Sequence, residues 1–320
     1  MNEFDFIRHY LSRQQTDTEV VLGIGDDAAI VRPRPGYDLC FSSDMLLAGR
    51  HFFADVAAGD LAHKVLAVNV SDMAAMGATP RWVLLSAALP YLDEAWLKDF
   101  CDTLFDQARA YGITLIGGDT TRGEWVFNVT IIGELPQGAA LCRSGAQSGD
   151  DIWVSGYLGA AAAGLASIQG KLSLPAEVDV ACRTRLHRPQ PRVGLGQHLL
   201  NVATSAMDVS DGLAQDLGHI LQASAVGARV EAALLPALPD LRRALADERL
   251  FSLQLAGGDD YELLFTAPQQ AREHVLAASR AAGVPVSRIG RITDNSGCLE
   301  VVDGNGDSVY LNHKGFDHFG

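Results

Sequence analysis

The apolar and polar positions along the chain predict two halves that each mix helices with strands. Over residues 94–111 the apolar positions recur at i, i+3 and i+4, the spacing of an amphipathic helix. Residues 59–76 are small and apolar almost all round, which predicts a buried helix. A short helix is predicted over 3–13. Short apolar runs predict strands over 19–22, 28–32, 38–43, 83–89, 113–116 and 126–133.

A change in composition marks the middle of the chain. Residues 136–151 are rich in Gly, Ser and Gln. We therefore predict a linker over 138–150, between an N-terminal α/β domain (1–137) and a C-terminal α/β domain (151–320). The second half is expected to hold strands over 152–155, near 229, over 263–266 and within 286–302. Its helices are expected over 158–169, 180–186, 193–203, 213–223 and 268–282.

Length and charge exclude several classes of protein. The chain has 320 residues, with 39 acidic and 25 basic side chains and a formal charge of −14. An acidic chain without a Lys/Arg cluster is poorly suited to neutralise nucleic-acid phosphates. No apolar run reaches the roughly 20 residues that span a bilayer, and the first residues resemble no secretory signal. Five scattered cysteines without C-x-x-C indicate reduced thiols, so a cytoplasmic protein is expected.

Most of the acidic residues are aspartates, 28 against 11 glutamates. Asp favours caps, turns and metal sites because its short arm holds the carboxylate near the backbone. Most of these aspartates, taken singly, are compatible with turns. Asp72 is different, because it shares a face of the predicted buried helix with Val65 and Val68. An ionised carboxylate there is costly unless it is paired or bound to a metal.

Several acidic segments together indicate a cation site that handles polyphosphate. Hard oxygen ligands without clustered His or Cys favour Mg²⁺, Mn²⁺ or Ca²⁺ over zinc. Several Mg²⁺ ions would reconcile an acidic protein with an anionic substrate. The Gly-rich segment 117–121 is predicted to be a strand-to-loop turn whose N–H groups cradle phosphate. Arg143 is either a phosphate clamp or a surface arginine of the linker.

Eight segments in order resemble the thiamine-monophosphate kinase family. The match extends over nearly the whole chain, and the combination is specific although no single segment is. The resemblance implies an α/β (α+β) protein with the two-domain aminoimidazole-ribonucleotide-synthetase-like fold, whose N-terminal sheet forms a barrel across a homodimer. The segments are Gly23-Ile24-Gly25-Asp26-Asp27-Ala28, Ser43-Asp44-Met45-Leu46 with Gly49, His51 and Phe52, 68–77, Gly117-Gly118-Asp119-Thr120, Arg143-Ser144-Gly145-Ala146, 207–213, 257–263 and 314–319.

The resemblance also implies a reaction and the residues that perform it. ATP would phosphorylate thiamine monophosphate to thiamine diphosphate by direct in-line transfer, with several Mg²⁺ ions in each site. The residues implied for catalysis are Asp27, Asp44, Asp72 and Asp119, with Asp72 placed centrally. The implied metal ligands are Asp27, Ser42, Ser43, Asp44, Asp72, Asp119, Asp208 and Asp211. The ATP contacts would be Gly118, Asp119, Arg143 and Ser210, and the substrate contacts would be His51, Asp259 and Phe316.

Three residues depart from the family pattern. Ser43 stands where Thr is usual, Asp259 replaces Glu with a shorter arm, and Phe316 replaces Tyr or Trp but keeps a stacking face. Two other functions stay open: an aminoimidazole-ribonucleotide synthetase, and a non-catalytic sensor of Mg-nucleotide. His51 is expected to orient the substrate; otherwise it is a solvent-facing loop histidine.

Overall fold

The computed structural model describes residues 7–12, 17–309 and 315, and they fall into two units. The first unit contains the described residues up to 73 together with 78–138. The second contains 74–77 and the described residues from 139 onward. The linker over 138–150 that composition predicts stays a prediction.

The first unit is built on a four-stranded sheet. One turn of π-helix, Ile7–Leu11, precedes it. The strands are β1 (Val20–Leu22), β2 (Ile30–Val31), β3 (Tyr37–Leu47), β4 (Thr79–Leu89), β5 (Thr114–Arg122) and β6 (Val126–Pro136), and the helices are α1 (Ala58–Met76) and α2 (Glu94–Tyr111). The sheet order is β3-β6-β4-β5, antiparallel apart from the parallel pair β4–β5, while β1 and β2 form a separate antiparallel pair.

Helix α2 has the bounds that the sequence predicts. Asp93 caps its start by accepting the Trp96 N–H at 3.0 Å, and Gly112 ends it in the left-handed region, at φ 69°. The apolar stripe packs through Phe100, whose ring lies 5.0 Å from that of Phe127 on β6. Amphipathic spacing and two caps thus specify this helix locally.

Two strands of the first unit extend further than their polar residues suggest. β3 passes through Ser42, Ser43 and Asp44 because each residue pairs with β6 as far as Leu47. The prediction that this strand ends at Asp44 is therefore wrong. The predicted strand-to-loop turn at 117–121 is also wrong, because β5 continues there, paired in parallel with β4. Backbone pairing, not side-chain polarity, decides where these strands stop.

The second unit is built on a six-stranded sheet of order β12-β9-β11-β7-β10-β8, antiparallel except for the parallel pair β12–β9. The strands are β7 (Asp151–Ser155), β8 (Ser205–Asp208), β9 (Gly227–Glu231), β10 (Leu263–Ala267), β11 (Val286–Thr293) and β12 (Leu299–Val302). The helices are α3 (Ala160–Ile168), α4 (Ala176–His187), α5 (Val193–Leu199), α6 (Leu213–Ser224), α7 (Pro239–Ala244), α8 (Asp247–Ala256) and α9 (Arg272–Ala282), with 3₁₀ turns at Ala232–Leu234 and Gln269–Ala271. Helices α7 and α8 are not among those that the pattern of apolar residues predicts.

Helices cover both faces of the second sheet. Alternate residues of β7 belong to different cores: Ile152 packs with residues of α6 and α8, whereas Trp153 packs with residues of α5 and α9. Every residue of β7 is therefore buried, including Asp151. Burial acts to raise the pKa of Asp151, but hydrogen bonds and charge from Arg272 and Arg288 outweigh it and lower that pKa.

Among the described residues, no helix combines the length and the apolar content that crossing a membrane requires.

Candidate active site

The first unit brings β3 and α1 together through polar side chains. The Ser42 hydroxyl donates to Asp72 Oδ2 at 2.6 Å, and the Asp44 backbone N–H donates to Asn69 Oδ1 at 3.0 Å. Because side chains alternate along a strand, Ser42 and Asp44 share the face that looks toward α1. Two of the predicted carboxylates, Asp44 on β3 and Asp72 on α1, thus belong to elements that pack against each other.

Asp72 occupies the setting that its helical spacing predicts. It lies on α1, whose surrounding residues are mostly buried, and is itself half-buried. Its charge also reaches β3: burial, and then the negative charge of Asp72, raise the pKa of the Cys40 thiol. Carboxylate and hydroxyl oxygens are ligand types that a divalent cation accepts.

Asn69 is a residue of this site that sequence reasoning missed. It is fully buried on α1, and its Nδ2 donates to the Val65 carbonyl at 3.0 Å. Its Oδ1 is thereby turned toward the backbone of Asp44. The sequence feature that points to Asn69 is a single amide in a run of small apolar residues, because a buried polar group there needs a hydrogen-bond partner.

Ser43 lies on the other face of β3. Its hydroxyl is 3.1 Å from Thr130 Oγ1 and accepts from Asn128 Nδ2 at 3.1 Å. Strand alternation therefore turns the Ser43 side chain away from Asp72, and the structure does not bring its hydroxyl to the Ser42–Asp72 pair.

His51 is held by two backbone contacts just after β3. Its Nδ1 accepts the Leu47 N–H at 3.0 Å, and its carbonyl accepts from Lys64 Nζ at 3.2 Å. An accepting Nδ1 in the neutral ring leaves the proton on Nε2. The ring is thus oriented by its backbone and can present a donor, as a substrate-orienting histidine requires.

The loop that carries Asp27 is exposed and lies between β1 and β2. The Asp27 N–H donates to Asp26 Oδ1 at 2.9 Å. At the base of this pair of strands, Arg34 Nε donates to the buried Glu134 at 2.6 Å, while Arg81 pairs with Glu19. Ion pairs therefore hold the base of this loop, and the tip that carries Asp27 is exposed to solvent.

Gly118 allows two backbone segments to approach closely within the sheet. Its φ is 149°, and a Cβ there would lie 1.8 Å from the Leu85 carbonyl oxygen. Asp119 follows in β5, opposite Ser86, and its side chain is exposed. Close packing of β5 against β4 is therefore the structural reason for a glycine at position 118.

In the second unit, Asp208 ends β8 and is buried, and the segment after it is held by a carboxylate that the sequence analysis did not identify. Asp216 Oδ2 accepts the backbone N–H groups of Ser210, Asp211 and Gly212 at 3.0, 3.2 and 3.1 Å. Burial, and then the charge of Asp211, raise the pKa of Asp216 to about 7, against the opposing effect of those N–H groups. The sequence feature that points to Asp216 is its position in the first turn of α6, where backbone N–H groups lack partners within the helix.

Asp259 lies in a turn of unusual backbone conformation. Both Asp259 (φ 68°) and Tyr261 (φ 50°) are in the left-handed region without being glycine. The Asp259 N–H donates to the Ser210 carbonyl at 2.8 Å, and the Tyr261 N–H donates to the Val209 carbonyl at 2.8 Å. The structure thus joins the predicted substrate turn directly to the segment of Ser210.

Asp260, between these two residues, caps α3. It accepts the Gly159 N–H at 2.8 Å. Burial is the largest influence on its carboxyl and raises its pKa well above the ordinary aspartate value, with further upward contributions from Glu262 and Asp259. Asp260 therefore caps the start of α3, and Asp259 lies outside that cap.

Arg143 lies in a loop whose backbone is held by Ser224, another residue that the sequence analysis did not identify. The Ser224 hydroxyl donates to the Arg143 carbonyl at 3.2 Å and accepts the Gly145 and Ala146 N–H groups at 3.1 and 3.2 Å. The Arg143 side chain is exposed. An exposed guanidinium on a fixed backbone is compatible with a phosphate clamp.

The predicted residues therefore form separate groups in the two units. Within the first unit, Ser42 contacts Asp72 directly, and the Asp44 backbone is hydrogen-bonded to Asn69 on the same helix. Within the second, Asp208, Ser210, Asp211 and Asp259 lie on two hydrogen-bonded segments. The part of the chain that the structure describes contains no ready cluster of three or more acidic, His or Cys groups for a metal. Phe316 lies outside the described residues.

Comparisons with known proteins agree with this architecture. Residues 25–135 match the N-terminal domain of AIR synthase related proteins, and residues 147–302 match their C-terminal domain. The chain is 46% identical over 320 residues to thiamine-monophosphate kinase of Escherichia coli O157:H7, covering 99% of this chain and 98% of that protein.

Solved structures give the same result. Thiamine-monophosphate kinase from Stenotrophomonas maltophilia K279a superposes with a TM-score of 0.87 at 44% identity, covering 96% of this chain and 98% of that one. AaThiL complexed with AMPPCP and TMP superposes with a TM-score of 0.78 at 28% identity, covering 99% and 96%. The two-domain fold is thereby confirmed, and the chain belongs to the thiamine-monophosphate kinase family.

Proposed function

We propose that this protein transfers the γ-phosphoryl group of ATP directly to thiamine monophosphate, giving thiamine diphosphate and ADP. The observation that carries the proposal is 46% identity to a thiamine-monophosphate kinase along the full length of both chains. The contact of Ser42 with Asp72 between β3 and α1 supports it, because phosphoryl transfer relies on positioning and charge stabilisation rather than on covalent chemistry by the protein.

The oxygen donors of the first unit fit Mg²⁺. Ser42 and Asp72 share a 2.6 Å hydrogen bond, Asp44 lies on the same face of β3 as Ser42, and hard oxygen groups are the ligands that Mg²⁺ prefers. We assign Asp27, Ser42, Asp44, Asp72 and Asp119 as ligands in this unit, with Ser43 through its backbone oxygen, and Asp208 and Asp211 in the second. Bound Mg²⁺ would supply neutralisation of the phosphate charges.

The remaining roles are those that the family resemblance implies. His51 and Asp259 would orient thiamine monophosphate, together with Phe316. Gly118 and Asp119 would approach ATP on β5, while Arg143 and Ser210 would contact it from loops whose backbones Ser224 and Asp216 hold. The Asp259 arm is shorter than the usual Glu by one methylene. Its left-handed backbone, φ 68°, then decides the direction in which the carboxylate reaches.

The chemistry needs no general base. The acceptor is a phosphate oxygen that is already anionic near neutral pH, so no side chain has to remove a proton. The obstacle is repulsion: two unit charges about 4 Å apart repel by about 4 kcal/mol at an effective dielectric of about 20. The task of Arg143 is therefore to help to bring the two phosphates in line.

A homodimer and a cytoplasmic location complete the proposal. β3 is an edge strand of its sheet, and the face opposite Asp72 exposes Leu39, Phe41 and Met45 by 37%, 63% and 54%. An apolar edge of this kind invites pairing with a second copy, as a barrel across two subunits would provide. The five free cysteines suit a reducing compartment.

Phe41→Asp is expected to convert a dimer to monomers, because two charges would be buried against each other in a symmetric contact. Light scattering after size exclusion measures the mass directly. Val180 on α4 is exposed to the same degree, 64%, so Val180→Asp is the matched control and should leave the mass unchanged. A Phe41→Asp variant that stays dimeric would rule out this interface.

The function itself is tested by ADP release from purified protein with ATP and Mg²⁺, followed by chromatography for thiamine diphosphate. We expect release only with thiamine monophosphate, none with thiamine, and none after EDTA removes the metal. Turnover with formylglycinamidine ribonucleotide instead would indicate the synthetase. Tight ATP binding without turnover on either acceptor would indicate the Mg-nucleotide sensor.

A further inference from the structure

Glu262 is a buried carboxylate that the reaction does not use. Its side chain is 3% exposed, and Arg192 grips it with two parallel bonds, Nε to Oε2 at 2.6 Å and Nη2 to Oε1 at 2.5 Å. The Ser155 hydroxyl donates to Oε2 at 2.6 Å and accepts the Leu263 N–H at 2.8 Å. We call Arg192, Ser155 and Glu262 the Glu262 latch.

The latch is tight as well as buried. A Cβ on Gly156 would lie 1.9 Å from Glu262 Oε1, so the carboxylate rests directly on the backbone after β7. Taking two charges out of water is expensive, and apolar residues of similar volume often stabilise a fold as well as such a pair does. The hydrogen bonds of the latch fix the orientation of the Glu262 carboxylate, which an apolar contact would not do.

Glu262 sits where two functional segments are joined. Its carbonyl accepts the Val209 N–H at 2.8 Å, and the next bonds along are Tyr261 N–H to Val209 O and Asp259 N–H to Ser210 O. Gly258 lies so close that a Cβ would be 2.4 Å from the Ser210 carbonyl oxygen. These backbone bonds fix the register of 258–262 against 208–210, and Glu262 lies at one end of the paired stretch.

The turn between these bonds is strained. Two non-glycine residues, Asp259 and Tyr261, adopt the left-handed region, which is unfavourable for them and persists only where surrounding contacts hold the backbone. Asp260 anchors one side of the turn on α3, and the latch anchors the other.

We infer that Arg192 and Glu262 are positioning residues that hold the turn 257–261 so that Asp259 meets thiamine monophosphate. The inference rests on the proposed function and on the substrate role proposed for Asp259. Arg192 lies 70 residues from Glu262 in sequence. It acts through Glu262 and the turn, without touching the substrate itself.

The test compares two buried Arg–carboxylate pairs at opposite ends of β7. Arg192→Lys keeps the charge but loses the planar fork. The matched control is Arg272→Lys, whose partner Asp151 is 0% exposed and receives two bonds at 2.5 and 2.9 Å. We expect Arg192→Lys to raise KM for thiamine monophosphate about tenfold, with a smaller change in kcat. Arg272→Lys should leave KM unchanged.

A second readout does not depend on activity. Hydrogen exchange measured by mass spectrometry reports the Asp259 and Tyr261 amides, which the structure shows bonded to Ser210 and Val209. Exchange in 257–262 should accelerate in Arg192→Lys but not in Arg272→Lys. Ser155→Ala, which removes one bond and no charge, should give the same effect more weakly, and it replaces Arg192→Lys if that variant does not fold.

Each outcome bears on the inference. Faster exchange with raised KM supports it. Unchanged exchange, or faster exchange with unchanged KM, overturns it, because the latch would then not hold the turn or the turn would not serve the substrate. A wild type inactive on thiamine monophosphate would count against the proposed function, and exchange alone would then decide whether the latch holds the turn.

Discussion

Asp72→Asn is expected to reduce turnover by about 100- to 1,000-fold while the protein stays folded. The amide keeps the shape and can still accept from the Ser42 hydroxyl, now 2.6 Å from Asp72 Oδ2. It removes the negative charge that Mg²⁺ and the phosphates would face. Initial rates over a range of Mg²⁺ concentrations measure the effect, and the concentration for half-maximal rate should rise as well.

The matched control for this change is Asp102→Asn on α2. Asp102 is an exposed carboxylate of the same unit, 2.6 Å from Lys98, and surface pairs of this kind contribute little to stability. It should be active and as stable as the wild type. Near-normal turnover of a folded Asp72→Asn variant would show that Asp72 is not a central ligand.

Gly118→Ala is expected to give the largest loss of stability among single methyl additions in the β4–β5 pair. The new Cβ would lie 1.8 Å from the Leu85 carbonyl oxygen, and φ would have to stay near 149°, where alanine is strained. Neither backbone can yield without breaking the pairing. We expect a loss of roughly 3 kcal/mol or more in the free energy of unfolding, together with lost activity.

Gly218→Ala controls for the chemical change itself. Gly218 lies within α6, nothing is within 4 Å of its would-be Cβ, and alanine favours a helix over glycine by about 0.5–1 kcal/mol. Denaturant unfolding of the two variants should thus move in opposite directions. If Gly118→Ala unfolds like the wild type, the close approach of β5 to β4 is not required.

Some parts of the fold and of the site can be predicted from the local sequence pattern. The helix 94–111 was predicted with its bounds because spacing and caps act within a few residues. Asp72 was identified because a carboxylate on an apolar helical face needs a partner, and Ser42 is one. Net charge and the positions of the cysteines can likewise be read directly from the sequence.

Other parts depend on contacts between residues far apart in sequence. The sequence pattern predicts that β3 ends at Asp44 and that a turn over 117–121 follows the strand 113–116, yet both strands continue because of pairing with β6 and β4. Asn69, Asp216 and Ser224 were missed because their function is to satisfy backbone groups elsewhere. Hydrogen bonds of this kind produce no periodic pattern of residues in the sequence.

The sequence alone determined the family, the acidic chemistry and the two-part α/β character, since these depend on residue type and order. Only the tertiary structure decided that Ser42 and Asp44 share one face of β3 while Ser43 takes the other. It also decided that Arg192 reaches Glu262 and that Asp259 adopts a left-handed backbone. The physical reason is that side-chain direction and buried pairing follow from strand register and burial, which no local window of residues contains.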